Sequence, residues 1–512
     1  MNHTQTTDEP SLSEGVELKV SFFPPLFEQR RAWGLDILRR ECVSAVLDVG
    51  CGEGALLGCL CNPALALADP DSDVLRAPKS MPAVELELEL DDLHIRQLTG
   101  LDVSLPDLEC AAQITLPPPP PNLNGDDAYG AFPRWESLDV RLFHGGLEVY
   151  NDEFIGTECI VAMEVIEHLP PDIFPYFAPV LLGRYRPRLF LVTTPNYEFN
   201  SLFSPPPSAT PSASLPTTAY MRSSKGFPDP THRTTRVFRH SDHKFEWTRA
   251  EFAAWCSEAS ERWGYDVYIG GVGSAKERDP WGRNDDVGDA SLVAMFTRKD
   301  DWTPSVISDE AYAKTPTGPP HQLIAHHHHP THHSASNPSS MADIQSLVLG
   351  TIRSYSGEWT LRDLWVAGRV ATMCGGSLGR LVSAVEGDER FTVGKEGRDR
   401  WGWKVAVIGD EMGDLVWKMD DEEEKSISLD DDGEDEDIIL DGNDIGTSNW
   451  GNTSGDLQPF DIQSAPTSWG SDDTLTWGNN WDSDGGWDKG GMVTPANTFT
   501  RADTSASADM NA

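Results

Sequence analysis

Two short runs about 75 residues apart hold the side chains best suited to chemistry. Residues 164–168 (Glu-Val-Ile-Glu-His) and 242–247 (Asp-His-Lys-Phe-Glu-Trp) together offer carboxylates and imidazoles. Such a mixed oxygen and nitrogen donor set suits Mg²⁺ or Mn²⁺. On a helical turn Glu164, Glu167 and His168 stand at i, i+3 and i+4, so they are expected to project from one face. His243 is the expected fourth ligand and His240, three residues earlier, its competitor. Alone the 164–168 run is a weak signal, and the aromatic-flanked His243 makes the combination much more specific.

Upstream, Asp48-x-Gly50-x-Gly52 follows an apolar run and precedes a helical one. Glycines there allow a ligand to approach the backbone at a helix N-terminus. The spacing Gly50, Gly52, Gly54 is tighter than the G-x-G-x-x-G of dinucleotide folds. A carboxylate ending the next strand would grip ribose hydroxyls. Asp102, after Gly100 and Leu101, reads as such a strand end, whereas Asp69 lies in a turn-like acidic stretch. A cation site beside a cofactor loop points to group transfer onto a hydroxyl that needs activation.

The elements that must position these residues follow from the pattern of apolar runs. Expected strands are 44–50, 98–104, 140–144, 159–165, 189–194, 265–271 and 291–297, separated by helical or irregular segments. That alternation predicts an α/β fold, a mostly parallel seven-stranded sheet with helices on both faces. Residues 1–20 read as a loose leader, and 21–300 as the catalytic domain. Two insertions, 66–92 and 116–127 (with consecutive prolines from Pro117), interrupt it, and 204–230 reads as a mobile loop near the substrate entrance.

After residue 303 the composition changes. The segment 303–340, with its histidine tract at 326–329, reads as a solvated His/Pro-rich linker. Helices at 342–355, 360–367 and 378–386 and a hairpin from 391–393 and 401–408 predict a small α+β, winged-helix-like domain over 341–408. The chain has 512 residues and a net charge of −42. Between Asp410 and Ala512 there are 26 acidic and 4 basic residues, about half of that excess. The tail 409–512 is therefore expected to be disordered. Overall acidity does not exclude an anionic partner for the rest.

Trp450, Trp469, Trp477, Trp481 and Trp487 stand beside or between glycines in that tail. Spaced indoles on a flexible string can fill separate pockets on one partner, and the pattern resembles the Gly-Trp hooks that bind Argonaute proteins. Eight cysteines form no C-x-x-C pair and read as reduced thiols. No signal-peptide core and no apolar run of roughly 18 residues is found. A soluble protein of the cytosol or nucleus, with no membrane contact, is expected.

The tight glycine loop and strand-terminal acid resemble the first motif of class I S-adenosylmethionine-dependent methyltransferases. In chain order there follow further matches. They comprise Phe23-Pro24-Pro25-Leu26 with Gln29 and Arg30, the Asp48–Gly54 loop, Glu164/Glu167/His168, Thr194-Pro195-Asn196 with Glu198 to Asn200, and Asp242 to Arg249. Together, over about residues 20–300, they resemble the Hua enhancer family of small-RNA 2′-O-methyltransferases. The resemblance implies methylation of the 3′-terminal 2′-hydroxyl of small silencing RNAs by S-adenosylmethionine. It also implies Glu164, Glu167, His168 and His243 as metal ligands, and Asp102 and Gly146 as cofactor contacts. Long insertions and glycine at 146, where some members carry serine, depart from the pattern.

A ribose 2′-hydroxyl is a poor nucleophile, and a divalent ion on the vicinal 2′ and 3′ oxygens would acidify it and fix its line of attack. His168 is a secondary candidate for taking the proton, although a metal-bound nitrogen cannot easily do so. Arg222, Lys225, Arg233, Arg236, Arg239, Lys244 and Arg249 are candidate phosphate contacts. Two other readings are a small-molecule O-methyltransferase, which leaves 23–30 and 242–247 without a job, and an inactive Argonaute-binding scaffold, which the intact ligand set disfavours.

Overall fold

A computed structural model describes residues 16–68, 93–119, 133–206, 219–221, 226–301, 320–355, 357–367, 369–397 and 399–408. Asp69, Arg222, Lys225 and the tail with its tryptophans lie outside the described residues, as do most of both insertions. Ala45–Val49 (β1) is buried at four of its five positions because β-branched and leucine side chains cover both faces of a central parallel strand. It pairs in parallel with Gln97–Asp102 (β2) on one side and Cys159–Met163 (β4) on the other. Leu138–His144 (β3) continues the first side and Leu189–Pro195 (β5) the second. Tyr265–Val272 (β6) and Ser291–Arg298 (β7) close that side, with β7 antiparallel to both β5 and β6.

The sheet order is β6-β7-β5-β4-β1-β2-β3 followed by an eighth strand, Gln322–His329 (β8). The first seven form the mostly parallel α/β sheet of the class I methyltransferase fold, as the apolar runs predicted. The eighth was not foreseen. The histidine tract expected as a solvated linker is instead an antiparallel edge strand on β3. His326 and His328 face Asp139, while His327 and His329 bond Thr115 on the other side. Polar side chains with strand-edge partners carry no apolar alternation, so the tract could not be read as a strand.

Helices Leu26–Arg40 (α1), Ala55–Leu60 (α2), Leu105–Ile114 (α3) and Arg249–Trp263 (α4) flank the sheet. α4 begins with a capping box, Thr248 and Glu251 satisfying each other's backbone N–H, which fixes where the 242–247 run ends. Two apolar clusters fill the two sheet faces, one around Phe177, Phe190, Trp263 and Phe296, the other around Trp33, Leu57, Leu108 and Val140. Val16–Leu18, within the expected leader, pairs with Ala219–Met221 from the expected loop.

The part after residue 340 has helices Met341–Ser354 (α5), Leu361–Val366 (α6) and Leu378–Glu386 (α7), with a single turn at Val370–Met373. Its sheet has three strands, Trp359–Thr360, Lys404–Val407 and Phe391–Gly394, rather than the expected two-stranded ribbon. Leu65 and Ala66 from the larger domain enter its core beside Leu364, Trp365 and Leu381. The indoles of Trp135 and Trp365 both donate to the Leu65 carbonyl at 2.9 Å, so the two parts share buried polar contacts as well as apolar ones. Among the described residues no helix is long and apolar enough to cross a membrane.

Candidate metal and cofactor site

The strand order reverses between β1 and β4, and ligands of open α/β sheets bind at the carboxyl ends beside such a switch point. Asp48 and Gly50 lie at the end of β1, Asp102 at the end of β2, and Glu164 immediately after β4. The turn after β1 runs through Gly50, Gly52 and Gly54, all at positive φ. A Cβ on Gly50 would lie 2.5 Å from Val165, and one on Gly54 would lie 2.9 Å from Ala111, so neither position admits a side chain. The same contact sets the glycine turn directly against the residue following Glu164.

Asp102 Oδ2 accepts from the Gly52 N–H at 2.8 Å, and its Oδ1 accepts from the Ser104 N–H. β2 is thereby tied to the turn. Asp48 is buried, and desolvation, followed by repulsion from Asp102, pushes its carboxyl up to about 7. Gly146 follows β3; its carbonyl meets His321 Nε2 at 2.9 Å, and a Cβ there would strike the Glu148 carboxylate. Asp48, Gly50, Gly52 and Asp102 are thus gathered around one turn. Among the described hydrogen bonds, Gly146 is joined instead to His321, just before β8.

The 164–168 run does not form the expected α-helical turn. Glu164 adopts φ +55°, and only Ile166–His168 form a 3₁₀ turn. The reason is the end of the β4 ladder: the Glu164 N–H still bonds Thr193 on β5, so the chain turns sharply after it. Its carboxylate consequently takes other partners and is not among the three clustered donors. Oε2 lies 3.0 Å from Arg30 on α1, and Oε1 accepts from the Thr193 hydroxyl at 2.8 Å.

Glu167, His168 and His243 do come together, with one donor atom of each lying within 4.8 Å of the others. Glu167 is wholly buried; the Thr194 hydroxyl donates to its Oε2, while its Oε1 has no hydrogen-bond partner. Desolvation and the nearby Glu164 push its carboxyl up to about 7. An orphaned buried carboxylate oxygen facing two imidazoles is an arrangement that a bound divalent cation would complete. The residues present therefore fit the group.

Each imidazole has a carboxylate behind it. His168 Nδ1 lies 3.2 Å from Asp242 Oδ2, which raises the imidazole's proton affinity despite the opposing effect of burial. His243 Nδ1 lies 2.7 Å from Glu246 Oε1. The Lys244 N–H donates to the Glu167 carbonyl at 2.8 Å, joining the two runs through the backbone. The His240 ring centroid is 4.9 Å from that of His243, and desolvation together with that neighbour pulls His240 down to about 4. His240 stays outside the three-donor cluster.

Of the expected phosphate contacts, Arg236 pairs with Glu251, Arg249 with Glu198 and Lys244 with Asp242. Arg239 lies over the Phe203 ring at 3.6 Å, and Arg233 Nε donates to Thr231. Sequence reasoning assigned no role to Arg30, Thr194, Asn200 or Glu246. The i, i+3 spacing of His243 and Glu246 was the available signal for the last.

No protein-family model matches the chain. A small RNA 2′-O-methyltransferase of Arabidopsis thaliana is 29% identical over 286 residues, covering 55% of this chain and 24% of the relative. One from Gallus gallus is 28% identical over 280 residues, covering 55% of this chain and 56% of the relative. The chain thus spans from about a quarter to little over half the length of these curated relatives. A solved bacterial methyltransferase domain, CtHen1-C, is 26% identical, covering 53% of this chain and 98% of that one at a TM-score of 0.34.

Proposed function

We infer, from the chain's kinship with the small RNA 2′-O-methyltransferases, that it methylates the 2′-hydroxyl of the 3′-terminal nucleotide of small RNAs. S-adenosylmethionine supplies the electrophilic methyl group. The observation that carries this reading is the meeting of Glu167, His168 and His243 next to the glycine turn at the switch point of the sheet.

In this reading the Gly50–Gly54 turn presents backbone N–H groups to the cofactor, and Asp102 takes its ribose hydroxyls in place of the Gly52 N–H. Asp48 supports the turn from beneath, and Gly146 borders the far side of the cofactor. Glu167, His168 and His243 would hold Mg²⁺ or Mn²⁺, and Glu164, now paired with Arg30, would be the further candidate ligand. A divalent cation held there supplies Lewis acidity, easing loss of the 2′-hydroxyl proton. Such a site would favour RNA ends whose terminal hydroxyls are free. His168, held through Nδ1 by Asp242, keeps Nε2 for ligation, so proton uptake by it is secondary. Arg236, Lys244 and Arg249 meet phosphates by exchanging their present carboxylate partners, alongside Arg233 and Arg239.

Protection of small RNAs in gene silencing follows as the biological role. The tail tryptophans Trp450, Trp469, Trp477, Trp481 and Trp487 are the proposed contacts to an Argonaute-type partner. The test is methyl transfer from labelled cofactor to a 3′-hydroxyl small RNA by wild type, Glu167→Ala and His243→Ala. Loss of transfer in both variants, with cofactor affinity kept, is expected; unchanged turnover in both refutes the assignment.

A further inference from the structure

Two of the motifs quoted above, 194–200 and 242–247, lie apart in sequence, yet the fold binds them to each other. Asn196 and Trp247 form an isolated parallel bridge, and the Tyr197 N–H donates to the Trp247 carbonyl at 2.9 Å. This contact sets Asn200 against Glu246. The Asn200 amide donates to Glu246 Oε2 at 2.6 Å, while Oε1 meets both His243 Nδ1 at 2.7 Å and the Arg239 N–H at 3.4 Å. Glu246 is only 1% exposed. A carboxylate so far from water needs every one of these donors, and it is fixed in place by them.

We propose that Glu246 is a positioning residue that sets the tautomer and ring orientation of His243, with Asn200 holding Glu246 in register. The proposal rests on reading the Glu167/His168/His243 cluster as a divalent-cation site. An ionised carboxylate only accepts, so the nitrogen facing it carries the hydrogen. Nδ1 of His243 is that nitrogen, and the lone pair is left on Nε2, the nitrogen free to ligate. The negative charge behind the ring also makes Nε2 a better donor to a cation. Thr194 acts in parallel on the other strand run, its hydroxyl holding Glu167 Oε2 so that Oε1 stays free. The two motifs therefore fix the ligands from behind.

The experiment is Mn²⁺ binding to the full chain by calorimetry, with electron spin-echo modulation from imidazole ¹⁴N. S-adenosylhomocysteine affinity serves as the control for fold. Glu246→Ala is expected to weaken Mn²⁺ binding by about 10–100-fold. The isosteric Glu246→Gln and the outlying Asn200→Ala are expected to weaken it less, with S-adenosylhomocysteine affinity kept in all three. The wild type is expected to show two ¹⁴N couplings and Glu246→Ala one, a change that general loosening of the fold does not produce. Wild-type Mn²⁺ affinity in Glu246→Ala and Glu246→Gln, with affinity lost in His243→Ala, overturns the proposal and leaves the cation site standing. Equal loss of Mn²⁺ and S-adenosylhomocysteine affinity overturns it in favour of a purely structural Glu246. Wild-type affinity in His243→Ala sinks the cation site itself.

Discussion

Arg30 reaches from α1 to within 3.0 Å of Glu164, the one expected ligand that stands apart from the three-donor cluster. The same guanidinium meets Ser291 at 3.1 Å, so it is anchored on β7 as well. Ion pairing offsets the charge of Glu164, limiting its repulsion of Glu167 in a poorly solvated place. Arg30→Gln is therefore expected to free Glu164 and tighten Mn²⁺ binding several-fold. Weaker binding in this variant, measured by calorimetry, would assign Arg30 a different task.

Glu164 and Glu167 are expected to differ. Glu167 already faces both imidazoles, whereas Glu164 must first leave Arg30 and Thr193. Glu167→Ala should abolish measurable Mn²⁺ binding, and Glu164→Ala should reduce it by roughly tenfold, the effect of losing one weaker contact of about 1.4 kcal/mol. Equal losses in the two variants would show that both carboxylates ligate with the same weight.

Asp48 gives a pH-dependent signature in stability. Its folded-state carboxyl titrates at about 7 against an ordinary value of 3.8, so the native protein holds this proton more tightly than the unfolded chain does. The associated stability is present below about pH 4 and is lost as pH rises to 7, with a slope of up to ~1.4 kcal/mol per pH unit. Asp48→Asn removes that slope. Relative to wild type, the variant should gain stability from pH 4 to 7 and then stay level. Urea unfolding curves that remain parallel over that window would contradict this.

The contact between the two folded parts is also testable. Trp365→Phe leaves the Leu65 carbonyl with one indole donor instead of two and removes buried volume. A loss of about 2–4 kcal/mol is expected in chemical unfolding. A change below about 0.5 kcal/mol would mean the shared carbonyl contributes nothing.

Much of this was legible because the sheet is built from short apolar runs ending in glycine or an acid. Seven strands, Asp48 beneath its glycine turn and Asp102 at the end of β2 could all be read in that way. What stayed hidden depends on partners distant in sequence. The 326–329 histidines form a strand on the edge of β3, with Asp139 and Thr115 receiving their side chains. Glu164 leaves the helical face because Thr193 still pairs with its backbone and Arg30 takes its carboxylate. Neither constraint is local, so periodicity had no means of showing it.

Periodate sensitivity of the RNA product tests the methyl-transfer reading most directly, since oxidation requires adjacent free 2′ and 3′ hydroxyls. A 3′-hydroxyl small RNA incubated with the full chain, S-adenosylmethionine and Mn²⁺ should emerge at full length after periodate and β-elimination. The same RNA with His243→Ala should be shortened by one nucleotide. Shortening of the RNA after incubation with the wild-type chain, to the same extent as without protein, would contradict terminal 2′-O-methylation.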